Sequence, residues 1–199
     1  MIPVFPAHGS GSRIGLFGGS FNPPHEGHRL AAMLALRRLA LDRVWFLVTP
    51  GNPLKSHDGL PTLEKRLGAT RQAVAHPRID VTGVEAALGS DLTVDTLTAL
   101  RGRLKGTRFV WIMGGDNLAS FHHWRDWRHI ADLVPIAVID RPGATHAALR
   151  SPAAAALARF RIPESAAPSL AELAPPAWVY LHGRRSNLSS TALRAGILA

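Results

Sequence analysis

With 199 residues, 46% of them apolar, the chain suits one domain with a single large core and not a disordered protein. No apolar run approaches the roughly twenty residues of a bilayer span, so no transmembrane helix is expected. The absence of cysteine excludes disulfides and thiolate chemistry. A net charge of +9 favours polyanionic partners, nucleotides or nucleic acid. Its basic residues are scattered, with short groups at Arg101–Lys105 and Arg184-Arg185, so no nucleic-acid-binding stripe is expected.

Met1 to Ser12 lacks a basic stretch followed by an apolar one. No secretory signal is therefore expected there, and the expected setting is the cytoplasm. Residues 1–12 read as a flexible leader and 13–199 as a single domain. Ile14 to Phe17 is a buried strand, followed by a Gly/Pro turn and a helix, Leu30 to Leu41, apolar except for Arg37 and Arg38. Val44 to Val48 is a second buried strand, broken by Thr49-Pro-Gly-Asn-Pro53, with Lys55 in the loop beyond. Thr62 caps a helix running to about His76, and Ile79 to Val81 is a short strand. Asp91 or Thr93 opens a helix through Leu100. Phe109 to Met113 is a buried strand ended by Gly114-Gly115.

Leu133 to Ile139 reads as another strand, with Pro135 marking a bulge or an exposed edge. The Ala/Pro-rich residues 142–176 read as a connection packed outside the core, with one short helix near Ala153 to Phe160. Trp178 to Leu181 is the last strand. Strands alternating with helices predict an α/β fold with a parallel sheet.

Two stretches carry chemistry. The first is Gly18-Gly-Ser-Phe-Asn-Pro-Pro-His-Glu-Gly-His28. A strand, a glycine turn and a helix start present backbone N–H groups to an anion. His25 and His28 are three apart and share one face of the first helical turn, beside its positive end. Gly27 leaves room for close approach to the backbone. Alone, such a pair also serves as a helix cap or half of a metal site. The second stretch is Leu188-Ser-Ser-Thr-Ala-Leu-Arg194. Its hydroxyls can cap a helix, but with Arg194 one turn on they form a set suited to a triphosphate. Between the two stretches, Asp116 can cap a helix, Thr93 and Thr96 can form a capping turn, and Trp124 and Trp127 can be core residues. No histidine spacing matches a structural zinc site, and no protein metal site is expected.

The first stretch resembles the His-x-Gly-His signature of the nucleotidyltransferase superfamily, and Ser189-Ser-Thr-Ala-Leu-Arg194 resembles its Ser-Ser-Thr-x-x-Arg signature. Gly114-Gly-Asp116 with Trp124-Arg-Asp-Trp127, Thr93-Val-Asp-Thr-Leu97 and Asn52-Pro-Leu-Lys55 resemble the bacterial nicotinate-nucleotide adenylyltransferases. Asn22 stands where many members carry Asp, and Leu188 where Ile is common. The resemblance implies a Rossmann-like parallel sheet with helices on both faces, the nucleotidyltransferase fold. It implies transfer of an adenylyl group from ATP to nicotinate mononucleotide, giving deamido-NAD and pyrophosphate.

By the same resemblance His25 and His28 touch the α- and β-phosphates, with His28 the transition-state donor. ATP is held by Gly18, Gly19, Ser20, Phe21, Gly27, Asp116 (at the ribose), Leu188, Ser189, Ser190, Thr191 and Arg194. The mononucleotide is held by Asn22, Lys55, Thr93, Thr96, Trp124 (stacked on the pyridine ring) and Arg125. Mg²⁺ is implied as a cofactor bound through the ATP phosphates. Alternatives from the same residues are a pantetheine-phosphate or nicotinamide-mononucleotide adenylyltransferase, and a non-catalytic nucleotide- or nucleic-acid-binding protein.

Overall fold

The computed structural model describes residues 4–51 and 60–183, together with 190 and 193. Its strands are β1 (Arg13–Gly19), β2 (Arg43–Val48), β3 (Ile79–Thr82), β4 (Arg108–Gly114), β5 (Ile136–Ile139) and β6 (Trp178–Leu181). β2, β4, β5 and β6 are short runs rich in β-branched and aromatic residues, the composition of strands covered on both faces. All pair in parallel, in the order β3-β2-β1-β4-β5-β6.

Alternation along the strands divides the core into two layers. Leu16 is in register with Trp45 on one side and Trp111 on the other, and Trp111 with Ile136, which faces Trp178. This row lies in one apolar layer, while Phe17, Phe46, Ile112, Ala137 and Val179 lie in the other. The second layer is closed by α1 (Glu26–Arg38) and α2 (Leu63–Ala73). The first is closed by α3 (Val84–Leu88), α4 (Thr93–Arg103), α5 (Gly115–Ser120) and α6 (Trp127–Leu133). Helices thus cover both faces, as expected, and Thr62 caps α2 through its hydroxyl and the Lys65 N–H. Among the described residues no helix is long and apolar enough to cross a membrane.

Two local expectations need correction. Leu133 to Ile139 is not one strand: residues up to Leu133 complete α6, and β5 starts at Ile136, inside the sheet rather than at its edge. Pro135 lies just before it, where its missing N–H costs no ladder bond, and its carbonyl accepts the Trp111 N–H at 2.9 Å. The connection after β5 is not packed outside the core. It holds α7 (Thr145–Leu149), α8 (Pro152–Ala156) and two 3₁₀ turns, Ala158–Phe160 and Glu164–Glu172. Its Ala148, Ala153 and Leu157 enter the first layer, and Ala167 and Leu170 the second. Small alanine side chains let these short turns approach the sheet closely. Trp124 follows the 3₁₀ turn Phe121–His123 in extended conformation, and α6 starts three residues later.

Within residues 4–12, expected as part of a flexible leader, several residues contact the body of the domain. Phe5 packs on the first layer, His8 meets Trp45 edge-on at 6.1 Å, and the Gly11 N–H donates to the Gly106 carbonyl at 2.8 Å.

Candidate active site

The strand order reverses direction between β1 and β4, and ligands of such sheets sit at the carboxyl ends of the strands flanking that point. The chain leaves β1 through Gly18 and Gly19. A Cβ on Gly18 would lie 2.5 Å from the Trp111 ring, so glycine alone lets the indole reach under the turn. Phe21 follows in the left-handed region, with φ of 45°. Its buried ring is wedged among Phe17, Phe46 and His28, with centroids 5.9, 5.0 and 5.0 Å away. The Asn22–Pro23 bond is cis, and the chain then turns into α1.

His25 is the N-cap of α1 and His28 lies in its first turn. Their rings stack with centroids 3.8 Å apart. The His25 N–H donates to His28 Nδ1 at 3.2 Å, which puts the proton of a neutral His28 on Nε2. His25 is 6% exposed, and both its ring nitrogens are without a partner among the described residues. Burial, then the Arg141 charge, pushes His25 down to about 4. Burial, then His25, then Arg141, pushes His28 down to about 3. At neutral pH both rings are uncharged and offer N–H donors without bringing an added proton.

Across the reversal point, β4 ends at Gly114, and Asp116 lies in the first turn of α5. A Cβ on Gly114 would collide with the Asp116 carboxylate and sit 3.0 Å from Arg141 Cδ. Arg141 follows β5 and approaches Asp116 at 3.5 Å. It is a functional candidate that the reading by motif did not find. The available signal was an arginine directly after a buried strand, at the same sheet edge as both motifs.

Ser190 of the C-terminal motif reaches this place as well. Ser190 Oγ donates to the Pro23 carbonyl at 2.8 Å, joining residues 167 apart. Leu188, Ser189, Thr191 and Arg194, like Lys55, lie outside the described residues. Ser20, Asn22, Gly27 and Thr93 are partly exposed around the strand ends and helix starts. Thr96 is fully buried, and its hydroxyl bonds inward to Glu85 Oε1 at 3.4 Å and the Leu92 carbonyl at 3.2 Å. Trp124 is half-buried and stands edge-on to Phe121 and Trp111, at 5.4 and 6.3 Å. Arg125 is exposed, 3.7 Å from Asp126.

The profile of the cytidylyltransferase-like family matches residues 16–196. A Bradyrhizobium sp. (strain BTAi1 / ATCC BAA-1182) protein named "Probable nicotinate-nucleotide adenylyltransferase" is 57% identical over 92% of this chain and 95% of its own length. The chain belongs to the nicotinate-nucleotide adenylyltransferase family. A Rhizobium meliloti (strain 1021) member of the same name is 54% identical, over 92% of this chain and 97% of its own. In fold, the chain is similar to the Plasmodium falciparum nicotinic acid mononucleotide adenylyltransferase complexed with NaAD. The TM-score is 0.65, with 16% identity, over 92% of this chain and 83% of that one.

Proposed function

We propose that this adenylyltransferase joins the phosphate of nicotinate mononucleotide to the α-phosphorus of ATP. A phosphate oxygen of the mononucleotide forms the new P–O bond, and the bond from the α-phosphorus to the bridging oxygen breaks. Deamido-NAD and pyrophosphate leave. The nucleophile is already an anion, so no general base and no covalent intermediate are needed. The observation that supports this most is the close ring pair of buried His25 and half-buried His28 at the start of α1, with Ser190 bonded to the adjoining Pro23 carbonyl. Two N–H donors held in a partly dry place stabilise charge that develops on phosphate oxygens.

In this reading His28 Nε2–H is the transition-state donor, and His25 binds the neighbouring phosphate. Gly18, Gly19, Ser20, Phe21 and Gly27 line the polyphosphate path, joined by Leu188, Ser189, Ser190, Thr191 and Arg194. Asp116 holds the adenylate ribose, and Arg141 adds positive charge beside it. Asn22, Lys55, Thr93, Trp124 and Arg125 face the mononucleotide, with Thr96 supporting Thr93 from behind. Mg²⁺ would enter with ATP, held by phosphates and water, and neutralise charge on the leaving pyrophosphate. Residues 13–199 work as one domain, and the proposed setting is the cytoplasm.

The test is pyrophosphate release from Mg-ATP, run in parallel with nicotinate mononucleotide, nicotinamide mononucleotide and phosphopantetheine. A carboxylate accepts from every donor around it, whereas a carboxamide leaves some of them facing its own N–H₂. The expected outcome is a kcat/KM preference for the acid of about a hundredfold or more. Equal values for acid and amide would reduce the reading to adenylyl transfer without acid selectivity. Preference for phosphopantetheine would overturn it.

A further inference from the structure

Arg66, on α2, is 3% exposed, and each of its described partners is a backbone carbonyl. Nε donates to Pro61 at 3.0 Å. Nη1 donates to Ser20 at 3.0 Å and to Thr49 at 2.7 Å, and Nη2 to Pro50 at 3.2 Å. No carboxylate pairs with it among the described residues. A buried cation of this kind is a costly way to hold a helix on a sheet, where an apolar side chain would pack as well. Its carbonyls share a location instead: Ser20 lies just beyond β1, Thr49 and Pro50 just beyond β2. The Thr49 N–H also donates to the Gly19 carbonyl at 3.1 Å, so the two strand exits run side by side under one guanidinium.

The Ser20–Phe21 peptide is trans, since the cis bonds of the described chain are Asn22–Pro23 and Pro175–Pro176. In a trans peptide the C=O and the following N–H point in opposite directions. Binding of the Ser20 carbonyl by Arg66 therefore turns the Phe21 N–H away from α2. That N–H has no hydrogen-bond partner among the described residues, and the Phe21 ring lies against His28. The left-handed conformation of Phe21 is one that a bulky residue adopts only when its surroundings impose it.

We propose that Arg66 is a positioning residue: by gripping the Ser20 carbonyl it aims the Phe21 N–H at a phosphate group of the bound substrate. The proposal rests on the adenylyl-transfer reading for which phosphate is involved, and on the backbone geometry for the direction. Its test is an ¹H–¹⁵N spectrum in which the Phe21 amide is followed during separate titrations with ATP and with nicotinate mononucleotide. In the unmodified protein one of the two should move the amide strongly downfield, the signature of an N–H bonded to phosphate oxygen. In Arg66→Lys, which keeps the charge but loses the fork, that shift should collapse. The turnover of the variant should fall about ten- to a hundredfold, with the KM of the substrate that moves the amide rising and that of the other changing far less.

A Phe21 amide that ignores both ligands in the unmodified protein overturns the proposal, even if Arg66→Lys cannot be folded. Unchanged turnover in a folded Arg66→Lys overturns it too. Failure of the unmodified protein to release pyrophosphate counts against adenylyl transfer instead, and the amide shift still decides the role of Arg66.

Discussion

His25 and His28 are uncharged at neutral pH because burial strips water from both rings and the Arg141 charge adds to the effect. Their depressed values, about 4 for His25 and about 3 for His28, describe the free protein. A polyphosphate brought against both rings favours their protonated forms. ATP binding should therefore take up protons, and more of them as pH falls from 7 toward 5. Calorimetry in buffers of different ionisation enthalpy measures this, and comparison with His28→Ala cancels the titration of ATP itself. Equal uptake by the two proteins would remove His28 from contact with phosphate. His28→Ala should also lower kcat by ~10²–10³, the usual loss of one transition-state donor. The check is steady-state kinetics beside circular dichroism, since the fold should survive. Turnover near that of the unmodified protein would be incompatible with the assigned role.

At the scale of elements, the site depends on how closely backbone can approach ring and carboxylate at two strand ends. Gly18 lies over the Trp111 ring, which no flexible side chain can relieve by moving aside. Gly18→Ala should cost about 1–3 kcal/mol by overpacking, measured as a lowered urea midpoint. Its kcat should fall as well, because the turn displaced is the one that leads to His25. A Gly18→Ala protein with unchanged stability would mean that Trp111 and β1 can part freely. The glycine pair was legible in the sequence as a turn signal. Its partner was not, because Trp111 lies far along the chain and is brought there by the pairing of β1 with β4.

Across the whole molecule, pH dependence follows from where the sheet and helices exclude water. Glu85 on α3 is buried, and burial pushes its carboxyl up to about 7 from 4.5. The Thr49 and Thr96 hydroxyls pull the other way, and Asp91 adds to the rise. Between those two values the folded protein holds a proton that the unfolded chain releases. The contribution of this group is therefore fully present below pH 4.5 and lost as pH rises through 7. Glu85→Gln does not titrate, so it should be more stable than the unmodified protein at pH 8, by up to about 3 kcal/mol or roughly 6–12 °C in Tm. The advantage should vanish at pH 4.5. Scanning calorimetry at both pH values checks it, and a lower Tm for Glu85→Gln at pH 8 would show a carboxylate stabilised by a partner. The histidines act in the opposite window. Their folded values lie below the usual 6.5, so stability that is present above that pH is lost as pH falls toward 3.

What the sequence determined by itself was whatever rests on neighbours in the chain. Buried apolar runs set the strands, Gly18-Gly19 set the turn, and a spacing of three put His25 and His28 on one helical face. It misjudged residues 133–135 and 142–176, where a helix end, a proline and small alanines take their meaning from what packs on them. The tertiary structure alone decided which strand ends lie side by side. The order β3-β2-β1-β4-β5-β6 carries Asp116 to Arg141, the Arg141 charge toward the histidines, Ser190 to Pro23, and Arg66 to Ser20. These contacts join residues tens to more than a hundred positions apart, so no local period or spacing encodes them. The neutrality of the two histidines belongs to the same class, because loss of water around a ring exists only once the layers have closed over it.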